Sequence, residues 1–208
     1  MDENMKKRNE RLAQTVIKGL QSRNMTGYYA EDKEAALKQA LELIEENSTI
    51  SMGGCMSAHE IGLVQALQEG NYQYLDRSKM ELREGLLAAY DSDVFLSSAN
   101  AMTSDGILVN IDGNSNRVSC IAQGPKKVIF IVGMNKVCDD LDSAMKRARN
   151  VAAPINAQRF EVKTPCKETG KCFDCKSPDT ICCQFLITRY SRHTGRIHVI
   201  LVNDNLGF

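Results

Sequence analysis

The chain has 208 residues with Lys+Arg and Asp+Glu equal at 26 each; at roughly 100–200 residues per domain this length makes one domain with an appendage, or two small ones. The charge balance excludes a global field that would steer the protein toward nucleic acid or an anionic membrane, and no run approaches the ~20 apolar residues of a membrane span. The opening MDENMKKRNERLAQ is charged where a signal peptide would be apolar, so the expected compartment is the cytoplasm, where eight cysteines point to a metal or redox site rather than to disulfides.

Residues 4–23 place Leu12, Val16, Ile17 and Leu20 at helical spacing in a charged stretch, which predicts an amphipathic helix that packs on the main body or on a partner subunit of a homo-oligomer. Residues 31–46 repeat the pattern, and STISMGG then makes a short strand ending in two glycines. Ser57 and Glu60 stand at capping-box spacing, with Ile61, Leu63, Val64 and Leu67 continuing a helix to about Glu69. YQYLD, DVFLSS, ILVNI and KKVIFIV follow as strands, with a helix over 79–91, and the last of these runs is apolar enough to be buried on both faces. Residues 139–152 predict a charged helix broken near Pro154.

Strands alternating with helices argue for an α/β fold with a mostly parallel sheet flanked by helices. At the end, QFLITRYSR and RIHVILVND flank HTG, a signal for an antiparallel C-terminal hairpin. The division is then an N-terminal helix over 1–25, an α/β core over 26–163, and a Cys-rich loop with the hairpin over 164–208 completing the same domain.

That loop, TPCKETGKCFDCKSPDTICC, holds five of the eight cysteines and has too few apolar residues to order itself. Cys166, Cys172, Cys175 and Cys182 follow C-x5-C-x2-C-x6-C, a spacing that lets four thiolates surround one metal centre. Zinc binding supplies roughly 10–16 kcal/mol in small peptides, and an iron–sulfur cluster also takes four cysteines. Spacing does not choose between Zn2+ and a cluster. The alternatives are a loop of free or redox-sensing thiols, or Cys183 in place of Cys182 as the fourth ligand. Cys120 and Cys138 sit in apolar runs and are read as core fillers.

Gly53 and Gly54 lie between a strand and a helix starting near Ser57, where free backbone N–H groups and the helix dipole favour a phosphate or carboxylate; the bland alternative is a tight turn. In SSANAMTSDGILVNIDGNSNRV, the residues Asn100, Asp105, Asn110, Asp112, Asn114, Asn116 and Arg117, with Gly113 among them, gather near strand ends, where open α/β sheets bind ligands. Arg117 is suited to clamp an anion bidentately, although the SDG and DGN turns are also ordinary turn chemistry.

The stretches SMGGCMSAHEIGL, DVFLSSANAMTSDGILVNIDGNSNRVSCIAQGPKKVIFIVGMNKV and HVILVNDNLGF together resemble the LUD-domain family, which includes lactate-utilization protein C, from about residue 10 to the end. The resemblance implies a fold similar to the ribose-phosphate isomerase, glucosamine-phosphate deaminase and CoA-transferase superfamily. It also implies a role in bacterial oxidation of lactate beside iron–sulfur partner proteins. Asn100 stands where the isomerases carry an acidic residue, and an amide cannot act as their general base. The cysteine loop departs from the better-known members.

Three functions follow as expectations. The chain is an accessory component of lactate oxidation that binds a small anionic metabolite and a metal centre; or an independent enzyme on a phosphorylated or acylated small molecule, with Glu60 or Asp105 as acid/base; or a metal-stabilised binding module.

Overall fold

The computed structural model describes residues 1–208 and contains two sheets. Asp2 caps the first helix, α1 (Glu3–Ser22), by accepting from the backbone N–H groups of Asn4 and Met5. Its buried face is Asn9, Ala13, Val16 and Leu20, at helical spacing. This face closes over the protein's own sheet, and fully burying a side chain such as Leu20 stabilises the fold by about 1.5–3 kcal/mol.

There follow β1 (Thr26–Ala30), α2 (Lys33–Glu42), β2 (Thr49–Met52), α3 (Met56–Glu60), α4 (Leu63–Glu69), β3 (Gln73–Tyr74), α5 (Leu82–Asp91) and β4 (Val94–Ser97). Next come β5 (Ala101–Thr103), β6 (Leu108–Asp112), α6 (Asn116–Ala122), β7 (Lys127–Gly133) and β8 (Val137–Cys138). The chain ends with α7 (Leu141–Arg147), α8 (Ala153–Ala157), α9 (Pro165–Thr169), β9 (Gln184–Thr188) and β10 (Ile197–Val202).

The main sheet is parallel throughout, in the order β1-β10-β7-β4-β2-β3. Successive side chains of a strand point to opposite faces. Val128, Phe130 and Val132 of β7 therefore join α1 in one core, and Ile129 and Ile131 join α2, α3 and α4 in the other. A strand buried on both faces must be apolar at every position, which accounts for the run VIFIV that follows the half-buried Lys127. The second sheet, β8-β5-β6-β9, is mixed and packs Ala101, Val109 and Ile111 against Ala144 and Ala148.

Several expectations change here. The C-terminal strands do not form a hairpin: β9 pairs antiparallel with β6, whereas β10 lies between β1 and β7 in the other sheet. All six residues of β10 are buried, and an inner position offers them cover on both faces that a hairpin edge would not. The single helix expected over 57–69 is two, because Gly62 at φ 77° adopts the left-handed conformation between α3 and α4. Its cap is Cys55, without a side-chain bond, so Ser57 and Glu60 form no capping box.

Pro154 does not break its helix either. A π turn over Ala148–Ala152 precedes it, and the wider turn accommodates a residue with no N–H to donate. Strand β1 and helix α6 carried no clear periodic signal and are additions to the sequence-based picture.

Candidate functional site

A cavity of about 730 Å3 opens at the carboxyl ends of the parallel strands. Gly54, Cys55 and Met56 reach it after β2, Ser98–Asn100 after β4, Lys136 after β7, and Gly207 and Phe208 after β10. Its lining also takes in Gly113 and Asn114 from the turn after β6, Asn116 and Arg117 at the start of α6, Asn156, Arg159–Val162, and Pro178–Ile181 of the cysteine loop. Strand ends in a parallel sheet leave such a crevice because the crossover loops diverge to either face.

Two cations, Arg117 and Lys136, line it. Arg117 donates from Nη2 to Asn100 Oδ1 at 3.3 Å and to the Ile111 carbonyl, with Nε 4.0 Å from Asp112 Oδ2. Its Nε is buried without a hydrogen-bond partner. Burial lowers the Arg117 pKa and the nearby Asp112 carboxylate opposes that shift. Asp112 itself accepts from the backbone N–H groups of Asn114, Arg117 and Val118, so it holds the start of α6 and the arginine's backbone together.

Lys136, only 3% exposed, donates from Nζ to Ser98 Oγ at 2.9 Å and to Ser57 Oγ at 3.4 Å. No carboxylate lies within ion-pair distance of it. Burial pushes its pKa down to about 8, partly offset by Cys55 and reinforced by Arg147. An ammonium has three donors, so one is left without a protein partner in a residue that lines the cavity. Burial raises the Cys55 pKa, and the neighbouring Lys136 and Arg117 cations oppose that shift.

Of the ligand-binding residues expected from the sequence, Gly54, Asn100, Gly113, Asn116 and Arg117 line the cavity. Ser57 lies behind it as a partner of Lys136. Asn110 is fully buried beneath, donating to the Ser98 carbonyl at 2.8 Å. Gly53 serves by its missing side chain: a Cβ there would stand 2.8 Å from Arg117 Cγ.

The two acid/base candidates lie elsewhere. Asp105 sits in the β5–β6 turn, paired with Arg23 and Thr103, and Glu60 accepts from the Gly207 N–H at 2.9 Å. Neither faces the cavity. Lys136 was missed in the sequence because a lone lysine after an apolar strand reads as a solvated end. Only the packing of Ser57, Ser98 and Gly207 around it makes it buried.

The four metal-ligand candidates Cys166, Cys172, Cys175 and Cys182 line one separate cavity of about 50 Å3. No three His, Cys, Asp or Glu side chains of the protein are close enough to share a single ion. Cys182 is pushed up to about 11, by burial first and then by the three neighbouring thiols. Cys183 is exposed, and its backbone N–H donates to the Asp112 carbonyl at 2.9 Å.

The family model for the LUD domain matches residues 13–202. A crystal structure described as a DUF162 family protein from Deinococcus radiodurans is similar in fold, with a TM-score of 0.55 at 12% identity over 93% of this chain and 98% of that one. No curated protein matches the chain. With the α/β architecture and a family match over most of its length, the chain belongs to the LUD-domain family.

Proposed function

We propose that the protein is an accessory component of lactate utilization that binds a small anionic metabolite in the cavity at the carboxyl ends of β2, β4 and β7. The observation that carries this reading is Lys136: a buried ammonium bonded to two serine hydroxyls, with no carboxylate in ion-pair contact and Glu60 acting on it only from farther away. A buried charge without a partner is destabilising, and a carboxylate or phosphate entering the cavity would relieve it. Arg117 lines the same cavity and supplies a second cation. The volume of about 730 Å3 falls in the ~300–1,000 Å3 range of small-molecule sites. The lining also carries Glu161 and Asp179 beside Arg159, so preference for an anion rests on Lys136 and Arg117.

The reading is tested by thermal shift and calorimetry with lactate, pyruvate, a sugar phosphate and an acyl-CoA. Saturable binding of at least one of them is expected, and loss of a charged hydrogen bond worth roughly 1.5–3 kcal/mol should weaken it about tenfold to a hundredfold in Lys136→Met. Binding unchanged in both Lys136→Met and Arg117→Ala would refute the placement.

The lowered pKa of Lys136 favours a second reading, an enzyme in which this amine exchanges a proton with a bound small molecule. Turnover that rises toward pH ~8 and disappears in Lys136→Met would mark it. Iron–sulfur proteins of lactate oxidation are the proposed partners, and co-purification with them from cells grown on lactate is the corresponding test.

A further inference from the structure

We infer that the cysteine loop is the site of a cubane iron–sulfur cluster held by Cys166, Cys172, Cys175 and Cys182. All four thiols line a single cavity of about 50 Å3 whose other walls include Ala153, Phe173 and Phe185. They surround a space and do not meet at a point: no three ligand-type side chains are close enough for one ion. Tetrahedral zinc, with Zn–S of about 2.3 Å, would draw the four sulfurs to about 3.8 Å from one another. A cubane sits between its ligands and holds them farther apart, with room for its own iron and sulfide atoms.

The backbone around the thiols suits that occupant. Cys166 lies in the first turn of the short α9, two residues after Thr164, whose hydroxyl lies 3.4 Å from its sulfur. Asp174, at φ 52°, turns the chain between Cys172 and Cys175 so that both reach the same cavity, and its N–H points to Cys172 Sγ at 3.5 Å. A cluster with four thiolate ligands is anionic, and Arg149 stands at its edge, with Nη2 3.7 Å from Cys172 Sγ and 2.7 Å from Asp174 Oδ1. N–H···S bonds, compensating charge and a partly apolar wall are among the means by which proteins stabilise such clusters and set their potential. Cys183 is exposed and does not line the cavity, so it is not one of the ligands.

The experiment is purification without oxygen followed by reconstitution of the whole chain with ferrous iron and sulfide. The expected result is about four iron and about four labile sulfides per chain, with broad visible absorbance bleached by dithionite. Cys175→Ser should lose most of the iron and Cys183→Ser should keep it. Circular dichroism of Cys175→Ser separates loss of ligation from loss of fold; where that variant does not fold, the wild-type stoichiometry and Cys183→Ser decide. Colourless protein carrying one zinc, a count near two iron, or full iron retention in a folded Cys175→Ser would each overturn the assignment.

Discussion

Burial pushes the Lys136 ammonium down to about 8 from its ordinary 10.5, because the serine hydroxyls around it replace only part of its hydration. The folded value lies below the unfolded one, so the folded state releases its proton first as pH rises. Lys136 therefore opposes folding fully below about pH 8, and the penalty is relieved between about 8 and 10.5. An anion at Nζ stabilises the charged form, so ligand affinity should be flat below about pH 8 and fall above it, as calorimetry across that range would show. Lys136→Met should remove this pH dependence and, by replacing an unpaired buried charge with an apolar chain, raise the melting temperature of the ligand-free protein. Gly53→Ala tests the neighbouring cation: its Cβ would press on Arg117 Cγ. The expected cost is about 1–3 kcal/mol, together with weaker ligand binding, read by denaturant unfolding and calorimetry.

Among the elements, the break between α3 and α4 offers a clean measurement. Gly62 holds φ 77° and a Cβ there would meet only Leu37, at 4.0 Å, so Gly62→Ala should report backbone strain without a clash. The expected loss is about 1–2 kcal/mol in chemical unfolding, with the cavity's ligand affinity little changed. Periodic apolar spacing made α1, the body of α5 and the buried strands β4, β6 and β7 legible. It failed at β1, where TGYYA is short and only its last residue is fully buried. It failed again at the C-terminus, where a turn signal is local but pairing is chosen by burial. Ile197–Val202 gains cover on both faces by inserting between β1 and β7, which outweighs the preference of HTG for a hairpin.

For the whole molecule, the two cavities share a segment. Pro178–Ile181 lies between Cys175 and Cys182 and lines the larger cavity, and Thr180 lines both spaces. Thr180 Oγ1 is 3.7 Å from Cys175 Sγ, and Gly113 backs onto Ile181 closely enough that a Cβ would stand 3.3 Å from its backbone. Emptying the proposed cluster site should therefore loosen one wall of the proposed anion cavity. Protein stripped of metal by chelation is expected to show faster amide exchange over 164–183 and weaker ligand binding, whereas the main sheet keeps its protection. Equal affinity in stripped and reconstituted protein would show the two sites to be independent.

Sequence alone determined the α/β class, the buried parallel strands, the glycine turn after β2 and the four-cysteine spacing, because each is a local pattern whose meaning depends on few distant partners. Tertiary structure alone decided that β9 and β10 part into different sheets, that Asp105 serves Arg23 rather than the cavity, and that Lys136 is buried. Those outcomes depend on which surfaces are covered by segments far away in the chain. Ser57 and Ser98 lie 79 and 38 residues from Lys136, and no pattern along the sequence marks a desolvation produced by such distant neighbours.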